Sequence, residues 1–399
     1  MRHINDINYI RYINHISTPC PHDMKHTLTI IALTATAFTG AAGERTAGIT
    51  RVYDYRPAPG QFVNVLPEIA PDAAPEQVCE AVLSQIGGEE PDGMISLGAF
   101  GGYVIFGFDH PLVNVPGEYD FKIAGNAFVD NKELNGGSCE PGIVMVSVDA
   151  NGNGLPDDPW YELAGSAYAE SYKDFSITYT KPATSDTTYP YTTNDPARPT
   201  GEVERNIFHK QSYWPEWTGT ETLQFSGTCL PDNGINTATP PQQNWVLKAF
   251  EWGYADNLAN STDPGLKLDW AVDCDGRQVT LRQVDFIKVY TGVCQSCGRI
   301  GETSTEVAGA RDLHPDAEPV SGLNGIFSEN TSAITLLRSE GGALNVRTSS
   351  ETAYAIYTVS GRRIMNGRLT QGDNRIATAA LPSGIYILHT PGATHKFRR

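Results

Sequence analysis

From residue 43 to about residue 320, apolar runs of four to eight residues alternate with Gly, Pro and Asn. They include Tyr103–Phe108, Tyr119–Ile123, Gly142–Val148, Trp160–Leu163, Ser176–Tyr179, Val279–Leu281 and Val284–Tyr290. Runs this short, bounded by turn formers and rich in Val, Ile, Tyr and Phe, predict strands. One segment breaks the pattern. In Pro75–Ile86 the apolar residues Val78, Ala81, Val82 and Ile86 recur at helical spacing, with Pro at the first position. Many strands and one helix predict a mainly β chain whose body, 43–320, is a jelly-roll-like β-sandwich. Residues 168–245 differ in texture, being rich in Thr, Tyr, Pro and Asn, and read as a long surface excursion from that sandwich.

The pattern changes at both ends. Residues 321–342 are rich in Ser, Gly and Asn and read as a linker. Beyond it, 343–399 shows short alternating segments at Ala353–Val359, Arg375–Thr378 and Gly384–His389, with turns at Ser360-Gly361 and Asp373-Asn374. Ile356, Ile364, Leu369, Ile376, Leu381, Ile385 and Ile387 would form the core of a small C-terminal β-sandwich. At the other end, 1–42 reads as a leader. From Met24, Lys25 and His26 precede the apolar stretch Leu28–Phe38 and then Gly40, Ala41 and Ala42, the order of a secretory signal peptide cleaved before Gly43. That stretch is too short to span a bilayer as a helix. The expectation is an exported protein, at the cell surface or extracellular.

Charge sharpens this division. The chain has 29 Lys+Arg against 46 Asp+Glu, a net −17. Residues 1–42 contribute 3 − 2 = +1 and residues 343–399 contribute 8 − 2 = +6, so the body holds −17 − 1 − 6 = −24. A body that acidic is a poor partner for nucleic acid or anionic lipid, both of which recruit Lys/Arg clusters. Outside the leader lie Cys79, Cys139, Cys229, Cys274, Cys294 and Cys297. An even number in an exported chain suits structural disulfides, with free thiols the other choice. Cys294-Gln-Ser-Cys297 has redox or zinc spacing, and Cys274 is a further zinc candidate.

Three groups of side chains carry candidate chemistry. The first is Asp149-Ala-Asn151-Gly-Asn153-Gly154-Leu155-Pro-Asp157-Asp158. Oxygen donors at positions 1, 3, 5 and 9, a carbonyl at Leu155 and Gly at the sharp turn suit Ca²⁺. The Glu expected at position 12 is replaced by Trp160, so Asp158 or Glu162 must substitute. An Asn-Gly hairpin without metal is the plain alternative. The second group is aromatic: Phe208, His209, Tyr213, Trp214, Trp217 and Trp245. Of these Tyr213, Trp214, Trp217 and Trp245 are the candidate ligand-binding rings, either stacking on sugars or stapling the excursion down. The third group is the carboxylates Asp109, Glu140, Asp273, Glu302 and Glu306, with Glu140 and Glu302 as a candidate glycosidase pair. No nucleophile elbow, zinc-protease helix, Walker loop or dinucleotide fingerprint occurs.

Two resemblances follow from longer stretches. Tyr357-Thr-Val-Ser-Gly361-Arg-Arg-Ile364, Leu381-Pro-Ser-Gly384-Ile-Tyr386 and Lys396-Phe-Arg-Arg399 resemble the C-terminal sorting domain of type IX-secreted bacterial proteins. The resemblance implies recognition by a secretion machinery and passage across the outer membrane. Within 93–315, Ser96-Leu-Gly98-Ala-Phe100-Gly-Gly-Tyr-Val104, Phe106-Gly-Phe-Asp109, Asn126-Ala-Phe128, Glu140-Pro-Gly-Ile-Val144 and Leu268-Asp-Trp-Ala-Val-Asp273 resemble a family of exported bacterial cell-surface proteins. Members look like jelly-roll or carbohydrate-binding-module-like sandwiches, some beside uptake systems for glycans or cobalamin-type cofactors. The resemblance implies a binding role. The expected function is therefore capture of an extracellular ligand, carbohydrate first, with Ca²⁺ stabilising the fold. The alternatives are a glycoside hydrolase, a structural or adhesive surface protein, and capture of a cobalamin-type cofactor.

Overall fold

The structure is a computed structural model; it describes residues 45–183, 187–318, 327–328, 335–340, 343–348, 351–358, 363–382, 384–390 and 393–399. The expected leader, its cleavage site, most of the expected linker and the Ser360-Gly361 turn lie outside the described residues. The fold is mainly β and of sandwich type, as the apolar pattern predicts.

At its centre lies a six-stranded antiparallel sheet. Its order is Arg51–Arg56, Tyr103–Gly107, Phe286–Thr291, Gly142–Ser147, Trp160–Leu163, Ala271–Val272. Register sets which residues share a face. Val104 pairs with Val289 and Phe106 with Ile287, while Val289 and Ile287 pair in turn with Val144 and Val146. These six side chains point one way, into the larger core. The helix Pro75–Ile86 closes that face with Val78, Val82 and Ile86. Each such buried aliphatic side chain contributes about 1.5–3 kcal/mol. The helix begins where the sequence places it: Pro75 needs no N–H partner, and the Gln77 side chain accepts the Ala74 N–H at 2.9 Å.

The opposite face carries Tyr103, Ile143, Met145 and Tyr290, and what covers it corrects the excursion reading. Residues 172–229 form a four-stranded sheet in the order Thr200–Glu204, Thr188–Thr193, Tyr172–Thr180, Thr222–Cys229. Phe175, Ile177, Tyr179, Leu223 and Phe225 alternate inward and fill a second core. Phe100, in the turn before Tyr103–Gly107, meets Phe175 edge-to-face at 4.8 Å. Several Thr residues that made this stretch look like loop, among them Thr178, Thr180, Thr192 and Thr222, occupy the outward positions of strands. A one-face-polar strand has that composition.

A smaller antiparallel sheet runs in the order Gly234–Asn236, Trp245–Lys248, Gly136–Ser138, Phe128–Asn131. Elsewhere the imidazole of His110 lies between Asp109 (2.6 Å) and Asp312 (2.8 Å), tying Tyr103–Gly107 to the strand Gly309–Asp312.

The C-terminal part is a small two-sheet sandwich. One sheet holds Thr335–Glu340, Ala343–Thr348 and Gly372–Ala377; the other holds Arg363–Leu369, Thr352–Thr358, Ile385–Thr390 and Ala393–Arg398. Leu344, Val346, Ile356, Leu369, Ile376 and Leu388 are buried between them. The expected face of one strand is reversed: Tyr386 and Leu388 are buried, whereas Ile387 is half-buried. With a period of two, choosing the wrong parity moves every side chain to the other face. Part of the expected linker is also strand, since Phe327–Ser328 pairs with Val279–Thr280 and Thr335–Glu340 edges a C-terminal sheet.

Candidate functional site

Two hollows flank one wall on the surface of the small sheet. Trp245 opens a central strand of that sheet and lines a hollow of ≈ 730 Å³ with Phe128, Asp130, Asn131, Lys132 and Asn244. Phe128 is 52% exposed, so an apolar ring faces solvent beside amides and charges. The indole Nε1 of Trp245 is buried without a hydrogen-bond partner. The neighbouring hollow, ≈ 670 Å³, is lined by Arg205, Asn206, Ile207, Gln242, Gln243 and Arg299. Gln242 and Gln243 line the second hollow and Asn244–Val246 the first, while Ile300 of the first falls between Arg299 and Gly301 of the second, so the two share a wall. Gln243 Oε1 locks this wall by accepting the Arg299 N–H at 3.2 Å. Gly298 at its crest has φ +57, and a Cβ there would run into Gln243 Oε1 and Trp245 Nε1.

The other expected ligand-binding rings go elsewhere. Tyr213 and Trp214 are 0% and 1% exposed. Tyr189 stacks on Tyr213 at 5.8 Å, and its hydroxyl oxygen accepts the Tyr213 N–H at 2.8 Å. Trp214 donates its indole N–H to Thr220 O at 3.1 Å. Trp217 is half-buried and stacks on Tyr55 at 6.0 Å. These three rings staple the second sheet to the body, which removes Tyr213 and Trp214 as sugar platforms. The expectation missed another aromatic group: Trp252, 36% exposed, lies 4.6 Å from Trp270, which lies 6.1 Å from Tyr119. Residues 119, 252 and 270 are too far apart in the chain to be seen as a group.

The loop Asp149–Asp158 curls around its own side chains. Asp149 accepts the N–H groups of Asn153 (3.0 Å) and Gly154 (2.9 Å). Asn151 and Asn153 both turn their carboxamides toward Asp157, at 3.0 and 3.2 Å. Asp158 accepts the Ala150 N–H at 2.9 Å. Gly152 and Gly154, both at φ +72, allow the tight coil. Positions 1, 3, 5 and 9 thus lie on one coil, with the amide oxygens of Asn151 and Asn153 accepting the Asn153 and Leu155 N–H groups at 2.9 and 2.8 Å. Asp285, from the neighbouring strand region, accepts the Asp149 N–H at 2.8 Å. Burial raises its carboxyl, and the nearby Asp149 and Asp158 raise it further. No motif could have shown Asp285, because its proximity depends on the central sheet.

The carboxylates separate into different settings. Glu140 and Glu306 converge with Asp256, which no sequence motif marks, so that one oxygen of each lies within 4.8 Å of the others. Asp256, at φ +50, accepts the N–H groups of Asn126 and Ala127 (both 2.8 Å) and Glu306 (2.9 Å). Glu140 accepts Ser304 N–H at 3.1 Å, and Glu306 accepts the Ser304 hydroxyl at 2.9 Å. Burial lifts Asp256 to about 7 and Glu140 to about 8. Burial, then Glu140 and Asp256, push Glu306 well above the usual carboxylate range. Glu302 stands apart from this cluster, 3% exposed, with one oxygen on the Gln61 N–H at 2.6 Å and the other unpartnered. Glu140 thus faces Asp256 and Glu306, and the charge of Glu302 also raises its carboxyl. Asp273 caps a hairpin turn through the N–H groups of Asp275 and Arg277.

The cysteines are structural in setting. Cys79, Cys139, Cys229, Cys294 and Cys297 are thiols, and Cys274 is disulfide-bonded, so Cys274 does not join Cys294 and Cys297 as a zinc ligand. Burial pushes Cys294 up to about 11 and Cys297 to about 12, far from the reactive thiolate range. Compared with known proteins, the chain matches no family model and no curated protein.

Proposed function

We propose that this chain is an exported surface protein that binds an extracellular carbohydrate in the paired hollows flanking Trp245. The observation that carries the reading is the lining: a half-buried indole and an exposed Phe128 set among Asn131, Asn244, Gln242 and Gln243. Sugars offer apolar C–H faces and a rim of hydroxyls, so recognition needs aromatic faces flanked by amides. The two open hollows suit successive residues of a chain better than one compact cofactor. Calcium in the Asp149–Asp158 loop would stiffen the approach to the strand Trp160–Leu163, an inner strand of the central sheet. The C-terminal sandwich, with its own core, would serve as the address read by the secretion machinery.

Titration of the full chain against a glycan panel, followed by tryptophan fluorescence, tests the binding claim. Trp245→Ala is expected to weaken binding at least tenfold while leaving the thermal melt within a few degrees. Trp252→Ala is expected to leave binding unchanged. If Trp252→Ala abolishes binding and Trp245→Ala does not, the ligand lies on the Trp252–Trp270–Tyr119 patch and the hollows are not the site.

A further inference from the structure

The two hollows differ in charge, and the difference bears on which saccharide they take. The body carries −24, and only 29 − 3 − 8 = 18 Lys and Arg residues lie between 43 and 342. Two of these arginines, Arg205 and Arg299, line the ≈ 670 Å³ hollow, where Glu204 is the one acid among the described lining residues. Arg205 donates to Lys210 O at 3.0 Å, which holds its side chain against the 205–210 turn. Arg299 is exposed at the end of the shared wall, with its backbone N–H fixed by Gln243. Asn206 braces the same turn by donating to Arg299 O at 2.6 Å. Ile207, 73% exposed, adds an apolar surface beside the guanidinium groups. By contrast the Trp245 hollow carries Asp130 and Glu133 against Lys132.

We infer that the Arg205–Arg299 hollow receives the acidic substituent of a charged saccharide, whose neutral neighbour residue lies against Trp245. The inference rests on the carbohydrate reading for the sugar and on the arginines for the charge. A guanidinium presents parallel N–H donors that match a carboxylate or sulfate, and such charge-assisted bonds are stronger than those to sugar hydroxyls. On a body this acidic, an anionic ligand is repelled from most of the surface, so a local pair of arginines also selects where it docks.

The test uses the full chain and three probes: an oligogalacturonate, the same oligosaccharide fully methyl-esterified, and a sulfated oligosaccharide of similar length. Calorimetric titration at low salt is expected to show the acid form binding at least tenfold tighter than its ester. Arg299→Ala should erase that preference, bringing acid and ester forms to equal affinity, and raising salt to about 0.5 M should narrow it. A sulfated probe that binds in place of the uronate identifies sulfate as the anion and supports the same site, provided Arg299→Ala abolishes it. Equal affinity for acid and ester forms, with no gain from sulfate, overturns the anion inference and leaves the carbohydrate reading standing. No binding of any of the three, nor of a neutral glycan panel, overturns both.

Discussion

Glu306→Gln removes one of three carboxyl groups whose oxygens lie within 4.8 Å of one another, with no Lys or Arg bonded to any of them among the described residues. At an effective dielectric of about 20, two unit charges at that distance repel by about 3.5 kcal/mol. Three ionised carboxylates would cost about 10 kcal/mol, comparable with the whole stability of a typical domain. The cluster therefore keeps protons at neutral pH, and the hydrogen bonds indicate where the charge remains. Asp256, with three backbone N–H donors, is the natural carboxylate, and Glu306 and Glu140 are the natural acids. A group whose folded pKa is raised stabilises the fold fully below its unfolded value, near 4.5 for Glu, and that contribution is lost as pH rises through the folded value. Glu140 and Asp256, raised to about 8 and about 7, place the loss between roughly pH 5 and pH 9. Glutamine keeps the shape and a donor in place of the acid proton. The variant should match wild type within about 1 kcal/mol at pH 5 and exceed it by about 3 kcal/mol at pH 9, close to half of the two repulsions it removes. For a body of this size that is about 6–10 °C in melting temperature. The assay is thermal and urea unfolding at pH 5, 7 and 9 in chelator. A variant destabilised equally at pH 5 and pH 9 would refute the reasoning, because the cluster would then be ionised and fully compensated.

Two further outcomes follow from the loop and the tail. Calcium at about a hundred times its dissociation constant should stabilise the body by about 2.7 kcal/mol, and Asp149→Asn with Asp157→Asn should abolish the gain; an unchanged melting temperature in chelator and in calcium would remove the metal from the account. Deleting residues 343–399 should leave the body folded but retained inside the producing cell, as read by fractionation and by the melt of the purified fragment. Equal export of the truncated chain would mean that the C-terminal sandwich is not an address.

How much of this was legible from residue order depends on the range of the interaction. The helix Pro75–Ile86 and the strand Trp160–Leu163 fall where their patterns place them, because capping and alternation are local properties. The Asp149–Asp158 loop was equally visible, since its donors lie within ten residues and coil on themselves. The second sheet reads as loop in the sequence, because Thr-rich strands with one wet face resemble loop until Phe175, Ile177 and Tyr179 are seen to share the other face. Ring identity likewise says nothing of exposure: Trp214 and Trp245 are alike in the sequence, yet one closes a core and the other lines a hollow.

The pattern of apolar runs thus determined the class of fold and the helix Pro75–Ile86, and the spacing of Asp and Asn marked the Asp149–Asp158 loop, each from residues a few positions apart. Tertiary structure alone decided which carboxylates meet and which rings face a ligand. Glu140, Asp256 and Glu306 come together from three separate segments, and Arg205, Gln243 and Arg299 from three others. Such convergence is set by strand order and register across a sheet, where neighbours in space are more than a hundred residues apart along the chain. Local periodicity carries no record of that pairing.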